Sequence, residues 1–130
     1  VRGGDPNVGG VREARRASVD VLRHVMSSHL SDGPVQEYCN AELFQMVHRD
    51  PRCAPAVVGC APLLKSIVQG MELNAEDEVV QERACRTLWL LSVEDRHRAA
   101  VVFSGACSAV SKALLAHGTQ SEAGAAAALG

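Results

Sequence analysis

The chain has few aromatic residues and no long apolar run. Of its 130 residues, 3% are aromatic, whereas 47% are hydrophobic. A core of this composition is built from Ala, Val and Leu, which suits closely packed helices better than a β-sandwich. No stretch reaches the roughly 18 apolar residues of a membrane-spanning helix, and the start VRGGDPNVGG lacks the apolar centre of a signal peptide. We therefore expect an all-α protein without a membrane partner.

The chain also lacks a charge imbalance and paired cysteines. Its 13 basic and 15 acidic residues give a formal charge of -2, which predicts no nucleic-acid partner. The cysteines are odd in number and contain no CxxC pair, so neither a disulfide framework nor a zinc ribbon is indicated. They are Cys39, Cys53, Cys60, Cys85 and Cys107. This pattern favours a reducing, intracellular location, and we expect the cytoplasm.

No pattern of metal ligands or catalytic groups is present in the sequence. His24 and His29 are five positions apart, which is a poor match for two ligands on one helical face, and no HExxH motif occurs. Cys39 and Cys85 fall on or next to an apolar stripe, where cysteine behaves as a small hydrophobe. No base or oxyanion donor is indicated near either cysteine. We expect no catalytic residue, metal or cofactor, and hence no enzyme.

The sequence contains an internal repeat. VQEYCNAELFQMV, which starts at Val35, matches VQERACRTLWLLS, which starts at Val80, so the shift is 80 - 35 = 45 residues. The apolar positions of both copies run i, i+4, i+8, i+11, which is one stripe of an α-helix. They are Val35, Cys39, Leu43 and Met46 in one copy, and Val80, Ala84, Leu88 and Leu91 in the other. Helices at 35–48 and 78–92 are predicted to bury the same face.

Each of these helices is followed by a polar break, a glycine and a further helical pattern. The glycines are Gly59 and Gly105. Three related apolar segments start at Leu22, Leu64 and Ser111, at shifts of 64 - 22 = 42 and 111 - 64 = 47 residues. We attribute the unequal shifts to loops of different length. A period of this size is typical of armadillo and HEAT arrays.

The order of short helix, glycine, helix, acidic loop and long helix resembles the armadillo repeat, with HEAT repeats as a near relative. The strongest stretch is VQERACRTLWLLSVEDRHRAAVVFSGACSAVSKALLAH. The resemblance implies a right-handed α-solenoid of about two to three units, incomplete at both ends, in a fragment of a longer repeat protein. After a flexible segment 1–10, the expected units are 11–48, 49–92 and 93–130. The expected helical ranges are 11–29, 35–48, 51–70, 78–92, 95–117 and 121–130.

Armadillo proteins bind their partners in a concave groove lined by the third helix of each unit. Importin-α-like members present a Trp there and, four residues on, an Asn. In this chain Ala41 and Gln45 occupy those positions in the first copy, and Arg86 and Leu90 occupy them in the second. Capture of a basic nuclear-import peptide is therefore not indicated.

The resemblance implies instead that the groove binds an extended peptide or a helix of another protein. The contact residues that it implies are Glu42, Gln45, Arg49, Arg86, Trp89 and Leu90. Trp89 aligns with Phe44, and packing between repeats is the favoured role of this aromatic position. Partner contact is the alternative role, since Trp contributes a large contact area at interfaces.

The leading functional hypothesis is an adaptor or scaffold that binds another protein. One alternative is a structural spacer or a self-assembling segment that forms homo-oligomers through exposed solenoid ends. A regulatory docking platform for a catalytic subunit is another. The sequence also has clusters of opposite charge, which we interpret as solvated faces that have partner steering as an alternative role. They are Arg12, Arg15 and Arg16, and Glu72, Glu76, Asp77 and Glu78.

Overall fold

The computed structural model describes residues 6–117, and within this range the protein is all-helical, without strands. The helices are α1 (Pro6–Ser28), α2 (Gly33–Arg49), α3 (Ala54–Val58), α4 (Ala61–Leu73), α5 (Glu78–Leu91), α6 (Asp95–Phe103) and α7 (Ala106–His117), with a 3-10 turn at Pro51–Cys53 before α3. The predicted all-α class is confirmed for the described residues.

Most helix boundaries lie near their predicted positions. Helix α1 begins at Pro6 rather than at residue 11, and proline is well tolerated in a first helical turn because that turn has unpaired amides in any case. Within 95–117 the expected glycine, Gly105, separates α6 from α7, and its φ of 93° lies in the left-handed region that favours glycine. The helix predicted at 121–130 lies outside the described residues.

Helices α2 and α5 start in the same way. The side chain of Asp32 accepts a hydrogen bond from the amide of Val35 at 3.2 Å, and that of Asp77 accepts one from Val80 at 3.1 Å. Each carboxylate thereby pairs an amide that the first helical turn leaves without an intrahelical partner. The two caps are 77 - 32 = 45 residues apart, so the repeat extends to the helix starts.

One buried glutamine in each copy binds the end of the preceding helix. The amide Nε2 of each glutamine donates to two backbone carbonyls: Gln36 to Met26 at 3.1 Å and to His29 at 2.8 Å, and Gln81 to Met71 and to Asn74, both at 2.9 Å. Carbonyls at the end of a helix lack intrahelical donors. Those of Met26, His29 and Asn74 also accept a backbone amide from the loop that follows, so the glutamines add a second bond to each of them. The same two bonds thus occur in both copies, at a spacing of 45 residues.

These hydrogen bonds also correct the register expected for the earlier helices. They place Met26 and Met71 in equivalent positions, at a shift of 71 - 26 = 45 residues. The pairing of Leu22 with Leu64, at a shift of 42, is therefore wrong. Apolar runs of similar composition can be aligned at several offsets, whereas a side chain that bonds to one carbonyl allows a single offset.

The first helix pair, α1 with α2, packs against the second, α4 with α5. Thr87 Oγ1 donates to the carbonyl of Asn40 at 3.2 Å, and Arg83 Nη1 donates to that of Glu37 at 3.2 Å. Residue numbers rise together along the two helices, so α2 and α5 run parallel. The second helix pair thus repeats the first in the same orientation.

The starts of α2 and α5 lie very close together. A Cβ atom on Gly33 would lie 2.6 Å from Oδ2 of Asp77, so a side chain at this position would displace that carboxylate. In the loops just before these two helix starts, Asn74 Nδ2 donates to the carbonyl of Leu30 at 2.7 Å. The two helix pairs are therefore joined through their loops as well as through their cores.

The core is continuous through both helix pairs and α7, and it contains no aromatic side chain among the described residues. Its largest fully buried apolar members are Met26, Leu43, Leu63, Leu64, Ile67, Met71 and Leu91. Burial of such a side chain stabilises a fold by about 1.5–3 kcal/mol. The contribution of α7 is smaller, because it buries Ala106, Ala109 and Ala113.

Within residues 6–117, no individual helix combines the length and the apolar character needed to cross a bilayer. Two pairs of consecutive helical segments reach that length and apolar character only when each pair is counted together, and they are bent by 87° and 79°. The pairs are Pro51–Val58 with Ala61–Leu73, and Asp95–Phe103 with Ala106–His117.

Replacing one of the two equivalent glutamines tests the importance of their side-chain hydrogen bonds. We expect Gln81→Ala to lower the free energy of unfolding by about 1–2 kcal/mol, because the buried Met71 carbonyl loses its side-chain donor and the Asn74 carbonyl keeps only its bond from the amide of Asp77. Urea denaturation followed by circular dichroism measures this change. The matched control is Gln45→Ala on the exposed side of α2, for which a change within about 0.5 kcal/mol is expected. Equal effects of the two substitutions would contradict the structural role of Gln81.

The contact between the helix starts predicts a dependence of stability on pH. A hydrogen bond with Asp77 and partial burial raise the pKa of Glu37, while the charge of Arg83 opposes the shift. A raised carboxyl pKa in the folded state contributes stability below the unfolded pKa, and this contribution is lost as pH rises through the folded pKa.

We therefore expect Glu37→Gln to raise the Tm at pH 7 relative to the native chain, with the difference disappearing below about pH 4. Thermal unfolding at both pH values checks this. Glu13→Gln, at an exposed position of α1, serves as the control and should leave the Tm unchanged at either pH. A Glu37→Gln variant that is no more stable than the native chain at pH 7 would show that the carboxyl pair carries no repulsion.

Candidate functional site

The structure separates the six predicted contact residues into two groups. Glu42, Gln45 and Arg49 on α2 are exposed and line a groove of about 890 Å³ between α1 and α2. Arg86, Trp89 and Leu90 lie on α5 and do not line this groove. The predicted residues therefore do not form a single pocket.

The walls of this groove, called the apolar groove below, carry apolar side chains from both helices. They are Val21, Leu22 and Val25 from α1, and Val35, Tyr38, Cys39 and Met46 from α2. Tyr38 is 64% exposed and Val21 is 62% exposed, although both are large and apolar in part. Exposed apolar side chains grouped in a concave surface are typical of binding sites.

Charged residues stand at two points along the apolar groove. Glu42 and Arg49 are seven positions apart on α2, which corresponds to about 10 Å along a helix. Within residues 6–117 neither of these two side chains makes an ion pair. Gln45 lies between them, so the rim presents an acid, an amide and a base in sequence.

The α5 group has a different environment. Arg86 Nη2 lies 3.5 Å from Oε1 of Glu82 one helical turn earlier, in an exposed ion pair. Leu90 is half-buried and packs against the core, whereas Trp89 is 41% exposed. Arg86 and Trp89 thus have exposed surface for a partner, and Leu90 also belongs to the core.

The equivalent aromatic residues of the two copies, Phe44 and Trp89, are exposed to different degrees. Phe44 is half-buried and its ring stacks on that of His48, with the centroids 5.4 Å apart. Helical periodicity places Phe44 on the face of α2 that contains Glu37 and Asn40, both of which contact α5. The corresponding face of α5 carries Glu82, Cys85 and Trp89; Cys85 is buried, whereas Trp89 is 41% exposed. The inter-repeat packing of Trp89 stays a prediction.

The counterpart of the apolar groove in the second helix pair is filled. A shift of 45 residues converts Val21, Leu22, Val35, Cys39 and Met46 into Ser66, Ile67, Val80, Ala84 and Leu91. All five counterparts are buried, with exposures of 0–3%, because the helices of the first pair cover them. The apolar groove is therefore a helix-packing surface that no helix of residues 6–117 covers.

The sequence predicted part of this surface and missed Tyr38 and Val21. At the shift of 45 residues the counterpart of Val21 is Ser66, a polar residue that is buried, and the counterpart of Tyr38 is Arg83, which is exposed. The repeat pattern alone therefore did not mark either residue as part of a surface.

Two buried thiols, Cys39 in the groove wall and Cys85 on α5, are poor nucleophiles. Burial raises the pKa of the Cys85 thiol to about 11, and burial together with the charge of Glu42 raises the pKa of Cys39. A thiol with a pKa this high stays protonated at neutral pH, and the thiolate is the reactive form. Within the described residues, no group of three His, Cys, Asp or Glu side chains is arranged to hold a metal ion.

Thiol alkylation tests these environments. We expect Cys107, which is exposed, to react with iodoacetamide at pH 7.5 at least tenfold faster than Cys85 and Cys39, which are buried. Mass spectrometry of digested protein at timed intervals gives the three rates, and the same reaction in 8 M urea is the control in which they should converge. Equal rates in the folded protein would contradict the burial of these two thiols.

Comparisons with protein-family models, curated proteins and solved structures find no significant match to this chain. The interpretation of the site therefore depends on the internal repeat and on the geometry of the described residues.

Proposed function

We propose that this chain is a segment of a right-handed, armadillo-like α-solenoid that binds another protein and performs no catalysis of its own. Its main binding surface is the apolar groove between α1 and α2, and its ligand there is an amphipathic helix of the partner. The observation that carries this proposal is the burial of the equivalent positions in the second helix pair, where helices of the same chain occupy the equivalent space.

The repeat supports the assignment to an armadillo-like array. The segment from Pro51 to Leu91 has a short helical part, then α4, then α5, which corresponds to the three-helix order of an armadillo unit. The caps and glutamine bonds recur at 45 residues, within the range of armadillo and HEAT periods. Stacked units of this kind bury an apolar face only against a neighbour, so an uncovered face favours association.

The preference for a helix over an extended peptide follows from the shape of the groove. Two helices form its walls, and a third helix packs into such a furrow at an axial separation of about 8–10 Å. The second helix pair accepts helices in this manner, since α2 lies parallel to α5. An amphipathic helix with anchors at i, i+3, i+4 and i+7 meets the same requirement.

The charges along the groove predict the polar residues of the partner. Glu42 favours a basic residue and Arg49 an acidic one, about two helical turns apart on the bound helix. Complementary charges at the edge of an interface select the orientation of the partner and exclude like-charged sequences. Gln45, between the two charges, accepts or donates hydrogen bonds.

The α5 group extends the surface towards the second helix pair. Leu90 is the counterpart of Gln45 and Arg86 is that of Ala41, so all four positions belong to the same side of the third helices. A partner longer than the apolar groove would contact Arg86 and Trp89 after passing Gln45. This arrangement supports a continuous surface along α2 and α5.

A second candidate function is self-assembly, in which the helices of another copy fill the apolar groove. The same buried counterparts favour it, because the natural occupant of such a groove within the chain is a repeat helix pair. Light scattering over a concentration series separates the two functions. A mass that stays at 13.8 kDa excludes self-assembly, whereas a mass that rises towards a dimer supports it.

Substitution of the exposed groove anchors tests the proposed function. We expect Val21→Asp with Tyr38→Asp to abolish recovery of binding partners from cell extract, because two charges are placed in an apolar contact. The matched control is Phe103→Asp with Leu115→Asp, which changes two side chains that are 91% and 89% exposed outside the groove. Affinity capture with quantitative mass spectrometry compares both variants with the native chain.

Circular dichroism spectra and thermal unfolding must first show that both double variants fold like the native chain. A groove variant that recovers the same proteins as the native chain would refute the apolar groove as the binding surface. A further double variant, Arg86→Glu with Leu90→Asp, tests the α5 group separately. Loss of partners in this variant but not in the groove variant would show that the binding surface lies on α5.

A further inference from the structure

A second groove lies on the opposite side of α1 and has a very different charge. It has a volume of about 740 Å³ and is lined by five arginines, namely Arg12, Arg15, Arg16, Arg23 and Arg52. Asp20 is the one acidic side chain among its described lining residues. This concentration of positive charge contrasts with the formal charge of -2 of the whole chain. We call it the basic groove.

Nearby carboxylates engage three of these arginines. Asp50 pairs with Arg15 at 3.2 Å and with Arg52 at 2.8 Å, and Asp20 pairs with Arg23 at 3.0 Å. The hydrogen bond from Arg52 lowers the pKa of Asp50, so this carboxylate stays ionised at neutral pH. These pairs use only part of the donor capacity of the three guanidinium groups, because each carries five N–H donors.

Donors without acceptors remain in the basic groove. Arg12 and Arg16 are exposed and make no ion pair within the described residues. Nε of Arg15 is buried and has no hydrogen-bond partner there. Arg12 and Arg16 therefore carry the exposed guanidinium donors that an incoming oxyanion can reach.

We propose that the basic groove binds an extended protein segment that carries two oxyanion side chains, carboxylates or phosphates, separated by one residue. Arg12 and Arg16 are four positions apart on one face of α1, which is about 6 Å along the helix axis. Alternate side chains of an extended chain lie about 6.6 Å apart on one face. Two acidic groups at positions i and i+2 therefore match the two unpaired guanidinium groups.

The chemistry of arginine supports this class of ligand. A guanidinium group presents a planar fork of donors that fits carboxylate and phosphate oxygens in bidentate geometry. From Arg12 to Arg23 the groove extends about 16 Å along α1, a length that about five extended residues span.

The remainder of the groove surface suits a peptide backbone with small side chains. Pro55, Ala56 and Gly59 line it with little side-chain bulk, and Val19 is buried at its base. An acidic segment with small residues between its charges meets these conditions. This site is separate from the apolar groove, so either can fail a test without affecting the other.

Fluorescence anisotropy with synthetic peptides tests the inference on the full chain. Three fluorescein-labelled heptapeptides are used: Gly-Ala-Glu-Ala-Glu-Ala-Gly, the same sequence with phosphoserine at both Glu positions, and the same sequence with Gln at both. We expect the Glu or phosphoserine peptide, or both, to bind at least tenfold more tightly than the Gln peptide, with affinity falling as salt rises. Binding of the phosphoserine peptide alone identifies phosphate as the recognised group, and binding of both shows that carboxylates suffice.

Charge reversal then locates the site. Arg12→Glu with Arg16→Glu should weaken binding of the acidic peptide at least tenfold, and the Lys double variant at the same positions should recover part of it. The matched control is Lys65→Glu with Lys112→Glu, which changes net charge by the same amount at exposed positions outside the basic groove.

Three results would overturn the inference. One is the absence of any anisotropy change for the acidic and phosphoserine peptides up to 1 mM protein. Another is equal loss of affinity in the groove variant and the control, which would mean that overall charge alone is recognised. The third is tighter binding of a single-stranded thymidine heptanucleotide than of either acidic peptide, which would assign the groove to nucleic acid.

Discussion

The side-chain amides of Gln36 and Gln81 hydrogen-bond to the ends of α1 and α4, and so hold α2 and α5 against these helices. The two grooves depend on this constraint. Each glutamine donates to two carbonyls at the end of the preceding helix, and these bonds set the register between the two helices. The same bonds form in both copies, so each long helix has the same register against the helix before it. The contacts of Arg83 with Glu37 and of Thr87 with Asn40 show that α2 and α5 run parallel.

Within residues 6–117 the outer face of the first helix pair is uncovered, whereas the equivalent face of the second pair is buried. The first helix pair covers Ile67, Val80 and Leu91 of the second, yet no helix of the described residues covers Leu22, Val35 and Met46. The proposed binding function therefore arises from the same apolar pattern that builds the core. Glu42 departs from this pattern, since its counterpart Thr87 is buried and bonds to Asn40. A charged group at that position favours a partner with a complementary base over a simple copy of the repeat.

The sequence predicted the parts of the structure that depend on local periodicity. The stripes at Val35 and Val80 located α2 and α5 within two residues at each end, because a helix that buries one face needs apolar residues at that spacing. Periodicity could not give the register of α1, where short apolar segments align at more than one offset. The hydrogen bonds of the two glutamines resolved it, since they depend on tertiary contact.

The binding surfaces were less predictable because exposure depends on neighbours. Glu42, Gln45 and Arg49 were anticipated as contact residues, whereas Tyr38 and Val21 look like ordinary core residues in sequence. The basic groove also could not be derived from the sequence alone. Arg52 follows α2, far from Arg12 in the chain, and only the fold brings the 3-10 turn and α3 beside α1.

The central claim is that the two helix pairs stack in the same orientation, and a distance measurement by double electron–electron resonance tests it most directly. In a background with Cys60→Ser and Cys107→Ser, nitroxide labels are placed at positions 34 and 79 in one variant and at 48 and 79 in another. Parallel packing of α2 and α5 predicts that the 48–79 distance is longer than the 34–79 distance by roughly 10 Å, since position 48 lies about 20 Å along α2 from position 34. A shorter 48–79 distance would show antiparallel helices and contradict the repeated stack.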